Sequence, residues 1–145
     1  MQINNFKWLI LLFFLSILFS NCFISGKSNV KYEKILFGKG GGFTGKYDDY
    51  YLSSNGNLFK KEPSSKEFLK IKTLNKKETK NIFKEIDDNK LFESEFNHPF
   101  NISCYIEIVK GTSSNRIVWG NTQNQPPATV EIIFNKLMSF VKDSK

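Results

Sequence analysis

Cysteine, alanine, arginine and histidine are all scarce in this chain of 145 residues. The two cysteines are Cys22 and Cys104, so at most one disulfide is available and no disulfide framework can form. His98 is the only histidine, which leaves a zinc site short of ligands. Arg116 is the only arginine, and no clustered Arg/Lys face of the nucleic-acid-binding kind is evident. Ala128 is the sole alanine, while Lys, Asn, Ile and Phe abound, a bias that fits an AT-rich genome. A long hydrophobic run is also missing. A bilayer-spanning helix needs roughly 20 apolar residues, whereas Trp8 to Phe19 supplies 12 and is broken only by Ser16.

That short run is informative in its setting. Lys7 precedes it, and Ser20, Asn21 and Cys22 follow it. Charge, apolar segment, small polar residues and cysteine in that order read as a bacterial lipoprotein signal over residues 1–21. Nothing in the run is amphipathic, which disfavours a buried core helix. The lipobox departs from the usual pattern, with Phe19 three places before the cysteine and Asn21 just before it. Two outcomes stay open: diacylglyceryl attachment at Cys22, or ordinary cleavage near Asn21 that releases a soluble protein. The first is the expectation. Two or three acyl chains, at about 0.8 kcal/mol per buried methylene, make a lasting anchor. Residues 22–30 then form the lipidated cysteine and a Ser/Gly-bearing tether. With Cys22 acylated, Cys104 has no intramolecular partner.

The remainder, residues 31–145, is long enough for one domain with its own core. The whole chain carries a net charge of +7, which falls to +6 without residues 1–21 because that segment holds Lys7 and no acid. Lysines are spread along the chain, with Lys60–Lys61 and Lys76–Lys77 the only adjacent pairs. A solvated basic surface is the plain explanation; attraction to anionic headgroups or cell-wall polymers is the sharper one.

Periodicity sets the expected elements. Lys31 to Phe37 reads as a strand, Gly38 to Gly45 as a glycine-rich connection, and Tyr47 to Ser53 as a second strand. Asn55–Gly56 predicts a type I′ hairpin leading into a third strand at Leu58 to Lys61. Phe68 to Lys72 is a further edge candidate. Asn75 and Glu78 have capping-box spacing before a helix that reaches about Asn89, with Thr79, Ile82, Phe83 and Ile86 on one face. Ile102, Cys104, Ile106 and Ile108 alternate with polar or amphipathic residues, which predicts a half-buried strand with Cys104 facing the core. Arg116 to Gly120 is its partner. After Pro126–Pro127, the residues Val130, Ile133, Phe134, Leu137, Met138 and Val141 make a helical stripe. The expected class is α+β: an antiparallel sheet of about five strands with two helices packed on one face, in the order β-β-β-α-β-β-α.

Several motifs invite a chemical reading. Gly40, Gly41, Gly42, Phe43, Thr44 and Gly45 satisfy G-x-G-x-x-G, and with Lys46 they satisfy G-x-x-x-x-G-K. Such loops aim backbone N–H groups and a helix N-terminus at phosphate. Here Tyr47 replaces the magnesium-binding Ser or Thr, and Asp48–Asp49 would repel phosphate. No nucleotide, metal or other cofactor is expected. The segment is read as a connection between strands, or as a loop that contacts a ligand or partner. Cys104 and His98 form a conceivable thiol-enzyme pair, but a core-facing cysteine usually acts as a small hydrophobe. Tyr47, Tyr51 and Phe43 either line a ligand platform or belong to a packed sheet face.

The segments FGKGGGFTG at Phe37 to Gly45, Asn55–Gly56, Phe96-Asn97 before Pro99, and Ile117-Val118-Trp119-Gly120 together resemble a group of small uncharacterised lipoproteins of Bacteroidetes-type bacteria. The resemblance implies a lipid-anchored envelope protein and brings no catalytic residues with it. The expectation is therefore a monomeric, non-catalytic binding module. It would be exported and held in the outer membrane by palmitate-type acyl chains on Cys22. Its partners would be the membrane and an envelope protein or polymer, with no nucleic acid. The alternatives are an inhibitor or immunity-type protein, or a small thiol-dependent enzyme.

Overall fold

Side-chain alternation in the longest strands sets up a sheet with two unlike faces. A computed structural model describes residues 32–120 and 123–142. The signal segment 1–21, Cys22 and the tether 22–30 lie outside the described residues. Strands β1 (Lys34–Gly41), β2 (Lys46–Ser53), β3 (Asn57–Lys61) and β4 (Phe68–Thr73) form a meander. Helix α1 (Lys76–Asp88) follows, then β5 (Asn97–His98), β6 (Ile102–Lys110), β7 (Ser113–Trp119) and helix α2 (Ala128–Lys142). The strands join in one sheet ordered β4-β3-β2-β1-β6-β7-β5. The α+β class holds, but the sheet has seven strands rather than about five. It is also mixed, because β5 runs parallel to β7 while every other pairing is antiparallel. The chain order is thus β-β-β-β-α-β-β-β-α. Of the two strands beyond the expected five, β4 is the Phe68–Lys72 edge candidate, which does pair with β3, and β5 has only two residues.

One face of the sheet and both helices share a single core. Ile35 and Phe37 of β1, Tyr50 and Leu52 of β2, Ile106 and Ile108 of β6 and Ile117 and Trp119 of β7 all turn toward it. From α1 come Ile82, Phe83 and Ile86, the expected stripe. From α2 come Val130, Ile133, Phe134, Leu137 and Phe140. Phe140 replaces Met138 and Val141, which are only half-buried, so the buried stripe sits to one side of the expected one. No helix among the described residues is long and apolar enough to cross a membrane.

Local chemistry explains how α1 is placed. Asn75 caps it: its side chain accepts from the Glu78 amide at 2.9 Å, and the Glu78 carboxylate accepts from the Asn75 amide at 3.2 Å. The helix crosses the sheet at the β1 N-terminal end. Near its start Thr79 lies beside Gly56 of the β2–β3 turn. Near its end Asp87 accepts a hydrogen bond from the Tyr32 hydroxyl at 3.0 Å. Lys136 of α2 reaches Glu85 at 2.6 Å and ties the helices together. The Asn55–Gly56 turn differs from the type I′ expectation. Gly56 alone takes positive φ, at 89°, while Asn55 does not. The Asn55 side chain instead accepts from the Asn57 amide at 3.3 Å, and this local bond stabilises the turn.

Candidate functional site

The glycine run is strand before it is loop. β1 continues through Gly41, paired on one side with β2 and on the other with β6. Gly40 and Gly41 therefore belong to the central strand, and their backbone groups lie within the two ladders. Only Gly42, Phe43, Thr44 and Gly45 make the turn, as a short 3₁₀ segment closed by Gly45 at φ 61°. The Gly42 amide donates to the Asn101 carbonyl, and the Gly45 amide donates to Gly42 at 3.1 Å. A phosphate loop needs its amides free ahead of a long helix. The chain supplies a β-ladder and then another strand, so neither phosphate motif has its required context.

Gly38 and Gly40 shape the face of the sheet that the helices leave uncovered. Cross-strand register puts Asp49, Gly38 and Tyr105 in one row and Tyr47, Gly40 and Ser103 in the next. A third row holds Tyr51, Leu36 and Glu107. Gly38 has no side chain, so the Tyr105 ring lies across it and its hydroxyl donates to Asp49 Oδ1 at 2.7 Å. The other Asp49 oxygen takes Lys61 Nζ at 3.2 Å. The Arg116 guanidinium sits 3.9 Å from the Tyr105 ring centroid and 3.6 Å from Glu107. Tyr47 meets the same ring edge-on at 6.0 Å. Tyr105 is thus only 3% exposed on a face that has no helix over it.

Next to this network lies a second aromatic group. Tyr51 stacks on Phe59 at 4.4 Å and meets Phe68 edge-on at 5.0 Å. An antiparallel sheet with one solvated face normally turns polar residues outward. This one turns out aromatic rings wired to charges. At the far end of β1 the Gly42–Gly45 turn presents Phe43, fully exposed, beside exposed Ile102. Phe100 is exposed in the adjoining β5–β6 loop. Ile102 was expected to face the core with Cys104, Ile106 and Ile108. It lies at the strand end, beyond the helices' cover, and stays exposed.

The possible thiol pair is not assembled. Cys104 pairs with Trp119, and Trp119 pairs with His98. Two strand steps, about 10 Å, and an indole therefore separate thiol from imidazole. His98 is exposed and packs on Phe96 at 4.7 Å instead. Cys104 does lie on the helix side, half-buried rather than fully buried. Burial pushes its thiol above the usual range; nearby Lys39 pulls it down and Glu131 raises it. Thiolate, not thiol, is the nucleophile. Alkylation of Cys104 at neutral pH is therefore expected to be much slower in the folded protein than in denaturant. Equal rates in the two states would contradict the core-side placement.

Tyr105 makes a second prediction. Burial first, then the hydrogen bond and charge of Asp49, hold its hydroxyl well above its ordinary value of 10.0, against a smaller opposing pull from Arg116. The folded chain keeps this proton at a pH where the unfolded chain releases it. Its contribution is whole below pH 10 and falls above it, by up to about 1.4 kcal/mol per pH unit. Tyr50, raised by burial and by Asp48, adds in the same direction. Denaturant titrations above pH 10 should show a steep loss of stability that is shallower in Tyr105→Phe. Identical slopes would rule out the raised tyrosine.

Sequence reasoning treated Tyr47 and Tyr51 as platform candidates but missed the Asp49–Tyr105–Arg116 network. Its only sequence trace is the i, i+2 spacing of Gly38 and Gly40, which means little until the partner strands are known. Among the described residues no group of three or more His, Cys, Asp or Glu side chains is placed to hold a metal ion. Comparison with known protein families finds no matching family model, and comparison with characterised proteins finds no similar sequence.

Proposed function

We propose that this is a lipid-anchored cell-envelope protein that acts by binding, through the uncovered face of its sheet and the adjoining Gly42–Gly45 turn. The observation that carries the reading is the aromatic and charged face opposite the helices. Tyr47, Tyr51, Phe59 and Phe68 turn toward solvent where a one-sided sheet needs only polar side chains. Asp49 on this face has both carboxylate oxygens engaged, which supports a binding surface rather than a free base.

The test places a photo-crosslinking residue at Tyr47 or Phe43 in intact cells, with Ile132 on the outer side of α2 as control. A discrete adduct from the first two positions, absent from the control, is the expected outcome. The same smear of neighbours from all three positions would sink the proposal. Anchoring is tested separately by incorporation of a labelled fatty acid, which should disappear in Cys22→Ser.

A further inference from the structure

We infer that the β3–β4 edge of the sheet is a docking surface for an anionic membrane. Residues 60–77 hold seven lysines and two glutamates, a net of +5. The other described residues hold ten basic and eleven acidic side chains, a net of −1. The net positive charge of the described domain thus resides in one hairpin and the first turn of α1. The lysines read as spread along the chain, yet seven of the described ones fall within this 18-residue stretch. Lys61 and Lys70 lie on the uncovered face, in the Asp49 and Tyr51 rows, while Lys60 and Lys72 sit in register with Tyr50 and Leu58 on the helix face. Lys66 stands in the β3–β4 turn, and Lys76 and Lys77 open α1. Among the described residues, Lys61 alone of the seven has an acidic partner, Asp49.

Lysines on both faces of an edge make a rim, not a face. β4 is the outer strand of the sheet and is irregular where it pairs with Leu58 and Phe59. Edge lysines and a bulge oppose the addition of another strand, so the rim does not fit an extended peptide partner. It fits a flat, extended anionic surface, where each lysine gains from the surface potential within a Debye length. Exposed Leu69 in the middle of the rim adds an apolar contact. The geometry suits a chain anchored at Cys22. Ten chain steps join Cys22 to Tyr32, a reach of up to about 35 Å. β4 lies three strand positions from β1, about 14 Å. With the rim on the bilayer, the sheet stands upright and its uncovered face remains accessible. This orientation rests on the membrane-anchored reading above, whereas the contact itself is measured without an acyl chain.

Among the described residues every buried core residue lies between Tyr32 and Phe140, and the chain from residue 22 onward retains them all. That chain, carrying Cys22→Ser, is sedimented with phosphatidylcholine vesicles with and without phosphatidylglycerol, at low and high salt. Binding should require phosphatidylglycerol and vanish at high salt. The triple variant Lys66→Glu, Lys70→Glu, Lys72→Glu should bind more than about tenfold more weakly. Lys39→Glu, Lys46→Glu, Lys142→Glu, with the same change in net charge, should bind like the parent. Equal losses in both triple variants would overturn the assignment, as would binding to a soluble polyglutamate peptide but not to vesicles. Failure of fatty-acid labelling at Cys22 would remove the anchor and leave the vesicle result standing.

Discussion

Alanine in place of Gly38 or Gly40 is expected to destabilise the protein by about 3 kcal/mol, the upper part of the usual range for overpacking. A Cβ at position 38 would lie 2.5 Å from the Asp48 carbonyl oxygen and 2.9 Å from Tyr105 Cε1. At position 40 it would lie 2.2 Å from the Lys46 carbonyl oxygen and 2.4 Å from Tyr47 Cα. The closest atoms are backbone of a paired strand, which cannot swing aside as a flexible side chain would. The Tyr105 ring is held as well, by Asp49 at its hydroxyl and Arg116 over its face. Gly45→Ala is the informative control. Position 45 has open space around it but positive φ, so its cost is conformational, about 1 kcal/mol. Denaturant midpoints at unchanged m-value would measure all three. A Gly38→Ala protein as stable as the parent would show that Tyr105 does not lie over that position.

Phe37→Ala is expected to cost about 4 kcal/mol, a large share of the 5–15 kcal/mol typical of a whole domain. Phe37 is fully buried on the central strand and stacks on Tyr50 with centroids 5.6 Å apart. Strands β2 and β6 flank it and the helices cover it, so little can collapse into the cavity. Phe37→Leu keeps most of the volume and should lose less than about 1.5 kcal/mol. The two variants together separate cavity formation from loss of the aromatic stack. A loss below about 1.5 kcal/mol for the alanine variant would place Phe37 outside the rigid core.

Adjacent positions 37 and 38 thus serve opposite faces of one strand. Phe37 fills the core, and Gly38 opens the gap that lets Tyr105 cross to Asp49. The sequence predicts a strand that ends at Phe37 without assigning the face of its ring, and a glycine declares only the lack of a side chain. Its meaning depends on which residues stand beside it on the neighbouring strands, here Asp49 and Tyr105, 56 positions apart in the chain.

What the sequence determined by itself was local. The Asn75–Glu78 cap and the stripe Thr79, Ile82, Phe83, Ile86 follow from a period of 3.6 and a bond spanning three residues. The β6 alternation and the core-side position of Cys104 follow from a period of two. What the tertiary structure alone decided was non-local. It made Gly40 and Gly41 strand rather than loop, set two-residue β5 parallel to β7, and placed Trp119 between Cys104 and His98. It also placed the lysine-rich stretch 60–77 at one edge of the sheet and set Tyr105 against Asp49 on the uncovered face. The physical reason is that helix periods, caps and turns are written in neighbouring residues. Strand order, register and the company a side chain keeps across a sheet depend on contacts that exist only after distant segments have paired.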